Sequence, residues 1–542
     1  MTRSVPVGEG SAVSVPGISA HVVQLPVRHH ANACRLFEYL GATSAGDAVL
    51  LESADISTKR GVNSLMVLAG SVRLTCRGQT VTAEALSDSG EVIIGRLCAQ
   101  LADYASPGAT TQRASFEFPV STAVEERERL TAPSTMLPLK LLQSAPGYTH
   151  MDGSLPLLAG GFAFDYLETF EDLPPVAASA NTYPDYQFLL AEVVLTIDHR
   201  NQTASLLGVA AGAAAGQLDD RLATLKHTID TAELPVDHPH DSAADTAGTL
   251  TVTATVSDAD FRQEVQQLKN NITAGDIYQV VPARAFTADC PDAFAAYRAL
   301  RETNPSPYMF YVRGTDGTEP YELFGASPES NLKYTADDRT LQLYPIAGTV
   351  PRGLNADGSI NPELDIRQEL SLRTDAKELA EHTMLVDLAR NDLARVAVPA
   401  TREVKDLLMV DRYSRVMHLV SRVTAELSPD LDALDAYRAC MNMGTLTGAP
   451  KLKATELLRG VEKTRRGTYG GAVGYVRGSG DMDTCIVIRS AYVSGGTAIV
   501  QAGAGVVRDS QPQREADESL HKAWAVLNAL AIAQNRTLEV IR

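Results

Sequence analysis

The sequence predicts an α+β protein with antiparallel sheets. Three observations support this fold class. Short apolar segments bounded by Gly, Pro, Asp and Ser recur along the 542-residue chain, which is typical of strands. The strands come in runs separated by runs of helix, and this grouping favours antiparallel pairing over a wound βαβ array. Hydrophobic residues make up 44% of the chain, enough for two domains or for one large domain with an accessory one.

The N-terminal part mixes strands and helices. A strand is predicted wherever β-branched and large apolar residues cluster, and a helix where apolar residues recur at a spacing of three to four. The predicted strands are 48–53, 64–70, 72–78 and 187–198, and the predicted helix is 221–234. The following segment PVDHPHDSAADTAG has no periodicity and reads as a linker. We therefore predict domains 1–245 and 246–542.

The C-terminal part alternates more clearly between the two element types. Its predicted strands are 278–286, 308–314, 321–327, 470–478, 484–493 and 497–507. Its predicted helices are 261–276 and 515–534, and the pattern after residue 362 is also predicted to be helical. The segment around His418 belongs to this last stretch, and we expect the chain to close with the helix 515–534.

Composition excludes several classes of function. The net charge is -18 and the sequence pI about 5.1, so a phosphate-backbone partner is not expected and we predict no nucleic-acid binding. The six cysteines are scattered with no CxxC pair, which favours reduced thiols over a disulfide framework or a zinc site. No apolar run approaches the roughly 20 residues of a membrane helix, and the N-terminus lacks an apolar signal core. We expect a soluble cytoplasmic protein.

The segment DAKELAEHTMLVDLARND gathers carboxylates on one predicted helix. At 100° per residue, Asp375, Glu378, Glu381 and His382 share one stripe. Like charges at this spacing repel one another. A solvated acidic face is the simplest interpretation. A bound cation would also relieve the repulsion, and oxygen ligands favour Mg²⁺ over zinc.

A second pair of acids lies near the C-terminus. Glu515 and Glu518 are three residues apart, and Lys522 follows four residues later on the same helical face. An ordinary Glu-to-Lys surface pair would explain this pattern. The alternative is a pair of carboxylates and an ammonium that face a metal-bound anion. Because Mg²⁺ takes only one or two protein carboxylates, four glutamates would divide into direct and water-mediated ligands.

Two further features point to a ligand. Gly503, Ala504 and Gly505 leave little bulk in a predicted strand, which marks either the close approach of a ligand or a tight crossing of backbones. The triplet is not a GxGxxG loop, so a dinucleotide site is not predicted. Arg489 interrupts an apolar strand and must meet an anion, which is either an internal acid or a substrate carboxylate.

The motifs together resemble anthranilate synthase component I, the large subunit that acts on chorismate. The matching runs are GDIYQVVPAR, NPSPYMFYV, FGASPES, YPIAGTVPRG, DAKELAEHTMLVDLARNDLARV, DRYSRVMHLVSRV, MNMGTLTGAPKLKA, RRGTYGGAVGYV, DTCIVIRS and QAGAGVVRDSQPQREADES. They cover about 260–525 densely, and LLESADISTKRGVNSLM extends the resemblance toward the N-terminus. The resemblance implies antiparallel sheets packed as a β-sandwich with helices outside, and a cleft that holds chorismate beside Mg²⁺.

The resemblance also implies roles for individual residues. Glu381 and Glu518 match the Mg²⁺ ligands, and Glu378 and Glu515 would reach the metal through water. Glu329 matches the general acid that protonates the departing C4 hydroxyl, and His418 the histidine needed for the second step. The implied substrate contacts are Gly348, Thr349, Thr445, Tyr469, Arg489, Gly503, Ala504, Gly505 and Lys522.

Two positions distinguish the subfamilies. Relatives that add water to chorismate carry a lysine where this chain has Gln279, and a neutral amide cannot activate water as a base. Relatives that make a 4-amino product carry a nucleophilic lysine where this chain has Ala347. Both residues favour the 2-amino product. Val350, where many members have arginine, affects only a peripheral contact.

The resemblance implies a partner and an inhibitor. No GxCxGxQ-like glutaminase segment occurs in the sequence, so ammonia is expected from a separate glutamine amidotransferase subunit (component II) in a hetero-oligomer. L-tryptophan is the expected feedback inhibitor. The residues expected to line or adjoin its site are Ser53, Pro307, Tyr308, Met309, Glu52, Asn63, Tyr475 and Cys485.

Other functions remain open at this stage. The enzyme could stop at aminodeoxyisochorismate or make isochorismate, although His418 and Gln279 argue against these outcomes. A protein of another class, an amino-acid-binding regulator on an inactive enzyme scaffold, is disfavoured because every implied catalytic position is intact.

Overall fold

The structure is a computed structural model that describes residues 20–44, 46–55, 58, 60–145, 153–235, 248–355, 359–413 and 416–542. The predicted domain boundary at residue 245 lies outside the described residues. Among the helices of the described residues, none combines the length and the apolar character that crossing a membrane requires. All six cysteines are free.

Strands and helices alternate in runs along the described chain. The strands are β1 Ala20–Val27, β2 Ala48–Ala54, β3 Gly61–Arg77, β4 Thr80–Ala85, β5 Arg113–Glu117, β6 Leu157–Phe162, β7 Tyr186–Asp198, β8 Thr203–Ala211, β9 Thr249–Ala254, β10 Gln279–Val280, β11 Ala283–Asp289, β12 Tyr308–Thr315, β13 Pro320–Ser327, β14 Ser330–Thr335, β15 Thr340–Leu343, β16 Ile346–Pro351, β17 Glu403–Arg412, β18 Val416–Glu426, β19 Gly448–Ala449, β20 Ala472–Arg477, β21 Met482–Ile486, β22 Ser490–Ser494, β23 Thr497–Gly503 and β24 Thr537–Ile541. The helices are α1 Ala33–Tyr39, α2 Asp88–Gln100, α3 Glu126–Thr131, α4 Leu137–Gln143, α5 Leu218–Thr231, α6 Asp258–Ala274, α7 Ala293–Thr303, α8 Pro362–Thr374, α9 Ala376–Ala394, α10 Ala433–Cys440, α11 Lys451–Glu462 and α12 Pro512–Ala533.

The α+β fold class is confirmed, and several predicted element boundaries are wrong. The two strands predicted at 64–70 and 72–78 form one strand, β3, because its register shifts allow it to continue along β7. The helical prediction after residue 362 is confirmed for α8, α9, α10 and α11, but it is wrong for residues 403–412 and 416–426, which form β17 and β18. Exposed and partly buried residues alternate along most of β17, and pairing with β18 outweighs the predicted helical preference. A short strand, β24, follows the closing helix and pairs in parallel with β9.

The described strands join into one branched, almost entirely antiparallel network, except β10 and β19, which form a separate antiparallel pair. One path runs β8–β7–β3–β2–β12–β13–β22–β23–β11, and a branch from β7 runs β6–β20–β21–β14–β15–β18. Alternate residues of a strand face opposite sides of a sheet. In β12, Phe310 and Val312 enter the core between the two branches, whereas Met309 and Tyr311 enter a second core under the helices. The result is a β-sandwich with helices outside.

Strands from both sides of the predicted boundary pair directly. β2 pairs with β12, and β6 pairs with β20. The outer helices α7 and α12 pack on each other and on this shared sheet. The division into 1–245 and 246–542 stays a prediction.

Candidate active site

Strands β16 and β18 form one wall of the site. Thr349 lies opposite His418 in their antiparallel register, and the Thr349 Oγ1 to His418 Nδ1 distance is 2.8 Å. The register shifts between Ile346 and Thr349, where Gly348 adopts φ +93°. A Cβ on Gly348 would lie 3.3 Å from Glu378 Oε2. Glycine at this position therefore lets the strand approach the acidic helix α9.

Helix α9 carries the first pair of acids. It begins after Asp375, whose side chain caps the helix by accepting from the backbone N–H groups of Lys377 and Glu378. Asp375, which shares the stripe by angle, therefore serves as a helix cap. His382, which also shares the stripe by angle, is fully buried. Its Nδ1 lies 2.9 Å from Ala347 O and its Nε2 lies 2.7 Å from Ser421 Oγ.

The glutamates of α9 and α12 lie within electrostatic reach of one another. Burial raises the pKa of Glu381, and the charges of Glu378 and Glu518 raise it further. Burial is also the main cause of the raised pKa values of Glu378 and Glu515, and the charge of Glu518 raises both further. The fold thus brings the glutamates of α9 within electrostatic reach of those of α12, although Glu381 and Glu518 are 137 positions apart in the chain.

These acids suit a hard divalent cation held by few protein ligands. Glu381 Oε1 is buried and accepts no hydrogen bond within the described residues, and the Lys377 ammonium lies 3.6 Å from it. A buried carboxylate oxygen without a hydrogen bond is costly, and a closer cation or a water would relieve that cost. In the described part of the chain, no group of three or more His, Cys, Asp or Glu side chains is arranged to hold a metal ion. The arrangement therefore suits Mg²⁺ with one or two carboxylates and several waters, and a closed zinc-type cage is not present among the described residues.

Glu329 is the most perturbed acid of the site. It follows β13 and is only 7% exposed. Thr445 Oγ1 donates to its Oε1 at 3.0 Å. Burial raises the pKa of Glu329 to about 8, although Thr445, Lys522 and Arg489 oppose the shift. A carboxyl group with this pKa is largely protonated at neutral pH and can donate a proton.

Two cations face this acid. Arg489 lies between β21 and β22 with φ +50°, so the predicted continuous strand 484–493 is in fact two strands separated by residues 487–489. Its guanidinium has no hydrogen bond or ion pair within the described residues, and Glu329 and Glu518 act on it electrostatically. The predicted internal acid partner is therefore absent from the described structure. Lys522 Nζ lies 2.7 Å from Glu518 Oε1.

The glycine-rich segment 503–505 lies beside Pro282 and Gln279. A Cβ on Gly503 would lie 2.4 Å from the carbonyl oxygen of Pro282, so a crossing backbone explains this glycine. A Cβ on Gly505 would lie 3.0 Å from Gln279 Nε2, so Gly505 leaves room for that side chain. Between them, Ala504 is fully buried and its N–H donates to Pro282 O. Gln279 is buried, and its Oε1 accepts no hydrogen bond from the described residues.

His418 and Tyr469 complete the set. Burial lowers the pKa of His418 to about 4, and the charges of Arg489 and Lys522 lower it further. The imidazole is therefore neutral at physiological pH and can accept a proton. Tyr413 packs edge-on against His418 with ring centroids 5.1 Å apart. Tyr469 is buried beside the Gly503 backbone, and burial raises its pKa to about 12.

Comparison with known proteins places the chain in a family. A family profile described as chorismate binding enzyme matches residues 101–528. Anthranilate synthase component 1 of Vibrio cholerae serotype O1 is 48% identical over 494 residues, which are 90% of this chain and 92% of that protein. The chain belongs to the anthranilate synthase component 1 family. This membership confirms the resemblance that the motifs predict.

Solved structures agree on the fold. Anthranilate synthase component I from Streptococcus pneumoniae TIGR4 is 25% identical with a TM-score of 0.62, and the match covers 86% of this chain and 92% of that one. The menaquinone-specific isochorismate synthase of Escherichia coli is 18% identical with a TM-score of 0.64, over 96% of both chains. The second likeness shows the fold alone. Both support the chorismate-binding architecture that the resemblance implies.

A second cluster contains the residues predicted to bind an effector. Met309 pairs with Glu52 and Asn63 pairs with Ser53 in the strand register, and the N–H of Asn63 donates to Ser53 Oγ at 3.2 Å. Tyr308, which follows Pro307, donates its hydroxyl to Asp483 Oδ1 at 3.0 Å. The remaining members, Tyr475 and Cys485, lie on the adjacent strands β20 and β21, beside Asp483.

Glu52 differs from the other members of this cluster because internal partners occupy its carboxylate. Arg301 donates to it twice, at 2.9 and 3.1 Å, and Tyr297 donates at 2.8 Å. The pKa of Glu52 is lowered because Arg301 outweighs the effect of burial. Its charge holds α7 against β2 and is not free to meet a ligand.

Sequence reasoning missed three residues near these sites. Lys377 Nζ lies 3.6 Å from Glu381 Oε1, and its pKa is raised because Glu381 and Glu378 outweigh burial. Its position four residues before Glu381 was an available signal. Asp483 and Tyr413 carried no such signal, because each lies near its partner only through strand pairing.

Proposed function

We propose that the protein is the large subunit of an anthranilate synthase. It would convert chorismate and ammonia to anthranilate and pyruvate through aminodeoxyisochorismate, in tryptophan biosynthesis. Family membership supports this reaction. The observation that carries it is the buried Glu329, protonated near neutral pH and facing two cations. Chorismate, ammonium and Mg²⁺ with the purified protein should yield a fluorescent aromatic product, and a product that is not aromatic would overturn the proposal.

Binding of the substrate must overcome the negative charge of the protein. Chorismate carries two carboxylates, and the net charge of the chain is -18. Arg489, which has no protein partner within the described residues, suits a bidentate clamp on one carboxylate. Glu381 and Glu518 would hold Mg²⁺, with Glu378 and Glu515 acting through water. When bound, the ion supplies positive charge to the other carboxylate.

In the first step, ammonia adds at C2 of the ring while the C4 hydroxyl leaves. Hydroxide is a poor leaving group, so it departs as water after it receives a proton from the Glu329 carboxyl. Thr445 donates to Glu329 Oε1 and leaves the other oxygen to carry that proton. The ring double bonds shift, and the product is aminodeoxyisochorismate.

This role predicts a high-pH limb in the rate profile. The acid must be protonated, and its pKa is about 8. We expect kcat/KM to fall about tenfold per pH unit above that value. His418 has a pKa of about 4 and stays neutral across this range, so it adds no limb there. A profile measured from pH 6 to 10 that stays flat would contradict the assignment of Glu329.

In the second step the C2 proton is removed and the ether bond between the ring and the enolpyruvyl group breaks. The departing group gains a proton at its methylene carbon to become pyruvate, and aromatisation of the ring drives the step. The neutral His418 imidazole can accept the C2 proton, and Thr349 orients the imidazole through Nδ1. We expect His418→Asn to lower anthranilate formation about a hundredfold while aminodeoxyisochorismate accumulates. Chromatography of the reaction mixture separates the two compounds. Equal loss of both compounds would show that His418 serves the first step or the fold.

The buried amide Gln279 favours ammonia over water as the nucleophile. It lies beside Gly505 and offers no base to activate water. Isochorismate synthesis and a reaction that stops at aminodeoxyisochorismate remain the alternatives within the enzyme class. Neither has a specific observation in its favour. Turnover itself excludes a non-enzymatic amino-acid-binding regulator.

A partner subunit would supply the ammonia. The name component 1 of the relatives implies a second component, and we propose a glutamine amidotransferase in a hetero-oligomer. A cytoplasmic location stays a prediction.

We also propose that L-tryptophan inhibits the enzyme at the Ser53–Tyr308–Met309 cluster. This cluster joins strands from both halves of the chain, so a bound effector could bias their arrangement. We expect turnover to fall with added L-tryptophan, and Ser53→Phe to raise the half-inhibitory concentration at least about tenfold by filling the site. Unchanged turnover of the wild type at saturating tryptophan would remove this proposal.

A further inference from the structure

A cavity of about 350 Å³ lies outside the site described above. It is formed by α6, β11, β23, the end of α11 and the loop before β7. Small aliphatic side chains make up its apolar wall. They are Ala178, Ala180, Val256, Ala283, Ala285 and Ile499.

Every arginine that lines this cavity already has an acidic partner. Arg284 Nη1 lies 2.8 Å from Asp258 Oδ1, and Arg466 Nε lies 2.8 Å from Glu462 Oε2. Arg465 pairs with Glu168 and Asp185. An anionic ligand would have to compete with these internal carboxylates for each guanidinium, so the cavity does not favour an anion.

Glu264 is the exception among the charged lining residues. It is half-buried, and no hydrogen bond or ion pair reaches its carboxylate from the described residues. Burial raises its pKa to about 7, and Glu462 and Asp260 raise it while Lys463 and Arg284 oppose them. The side chain of Gln501 also lines the cavity and has no hydrogen bond within the described part of the chain. Among the described residues, the cavity therefore offers one carboxyl group without an ion pair and one amide without a hydrogen bond.

We propose that this cavity binds a small organic cation, a primary amine with a short apolar body, through the carboxylate of Glu264 and the amide of Gln501. The ammonium would donate to Glu264, the amide would accept or donate a further hydrogen bond, and the apolar body would pack on the alanine-lined wall. Arg466, which lines the cavity, also donates to the backbone carbonyls of Val281 and Leu446. Leu446 directly follows Thr445 of the candidate active site, and Val281 lies two positions after Gln279.

Benzylamine is a suitable probe, and benzyl alcohol is its neutral match. We expect saturable binding of benzylamine by titration calorimetry, at least about tenfold tighter than benzyl alcohol. Because the amine stays protonated while Glu264 ionises, affinity for benzylamine should rise by up to about tenfold from pH 6 to pH 8. Affinity for the alcohol should stay flat.

Glu264→Gln should bring benzylamine down to the affinity of the alcohol and abolish the pH dependence. Glu117→Gln, which removes one exposed charge on β5 far along the chain from this cavity, should change neither. If the wild type bound benzylamine and benzyl alcohol equally well, or bound benzylamine with no pH dependence, the proposal would be overturned whatever the variants show. Unchanged binding in a folded Glu264→Gln protein would also overturn it.

Discussion

Glu329→Gln is expected to lower the rate of chorismate consumption about a thousandfold, within the usual range for loss of a general acid. Glutamine has the same shape and can still accept from Thr445, but its amide is too weak an acid to protonate the leaving hydroxyl. The burial that raises the pKa of the carboxyl favours a neutral group, so the variant should fold normally. Chorismate disappearance measured under saturating ammonium and Mg²⁺ tests the effect on kcat.

A matched control is Glu319→Gln, an exposed acid ten residues earlier in the chain. It should retain the wild-type rate. The KM for chorismate should change little in Glu329→Gln, because a proton donor acts mainly in the transition state. A Glu329→Gln protein with more than a tenth of wild-type kcat would show that another group protonates the hydroxyl.

Glu381→Gln is expected to weaken Mg²⁺ binding by at least about tenfold, because one anionic ligand is lost from a site with few protein ligands. Binding of Mn²⁺, followed by electron paramagnetic resonance, measures this without turnover. The same variant should unfold at a higher temperature than the wild type when no metal is present. Burial raises the pKa of Glu381 in the folded protein, and the charges of Glu378 and Glu518 raise it further. Ionisation of this carboxyl group therefore destabilises the fold as the pH rises above the pKa that glutamate has in the unfolded chain. Saturating Mg²⁺ should reverse the order.

Asp387→Asn provides the control for this pair of measurements. Asp387 lies on the same helix α9 but is exposed and paired with Arg390. Its replacement should change neither metal binding nor the melting order. If Glu381→Gln bound Mn²⁺ as tightly as the wild type, the carboxylates of α9 and α12 would be a repulsive surface and not a metal site.

Local sequence patterns predict the residue types of the candidate active site. The spacing of Glu378 and Glu381 on α9, and of Glu515, Glu518 and Lys522 on α12, follows from helical periodicity, and the motif resemblance supplied Glu329 and His418. Pattern reasoning also assigned most strands, because alternation along a strand reflects the two faces of a sheet. It failed where a residue's role depends on its neighbours in space. Asp375 and His382 fit the acidic stripe by angle, yet one caps α9 and the other is buried between β16 and β18.

Composition, periodicity and motif order were enough to predict the α+β class, the family and the candidate catalytic residues, because these are properties of short segments and their sequence. Only long-range packing places Glu381 within electrostatic reach of Glu518 and pairs Glu52 with Arg301. It also leaves Arg489 without an ion pair within the described residues. Each of these outcomes depends on burial and on charges that lie more than a hundred positions away along the chain. Desolvation and Coulomb interactions act through space, so no local pattern encodes them.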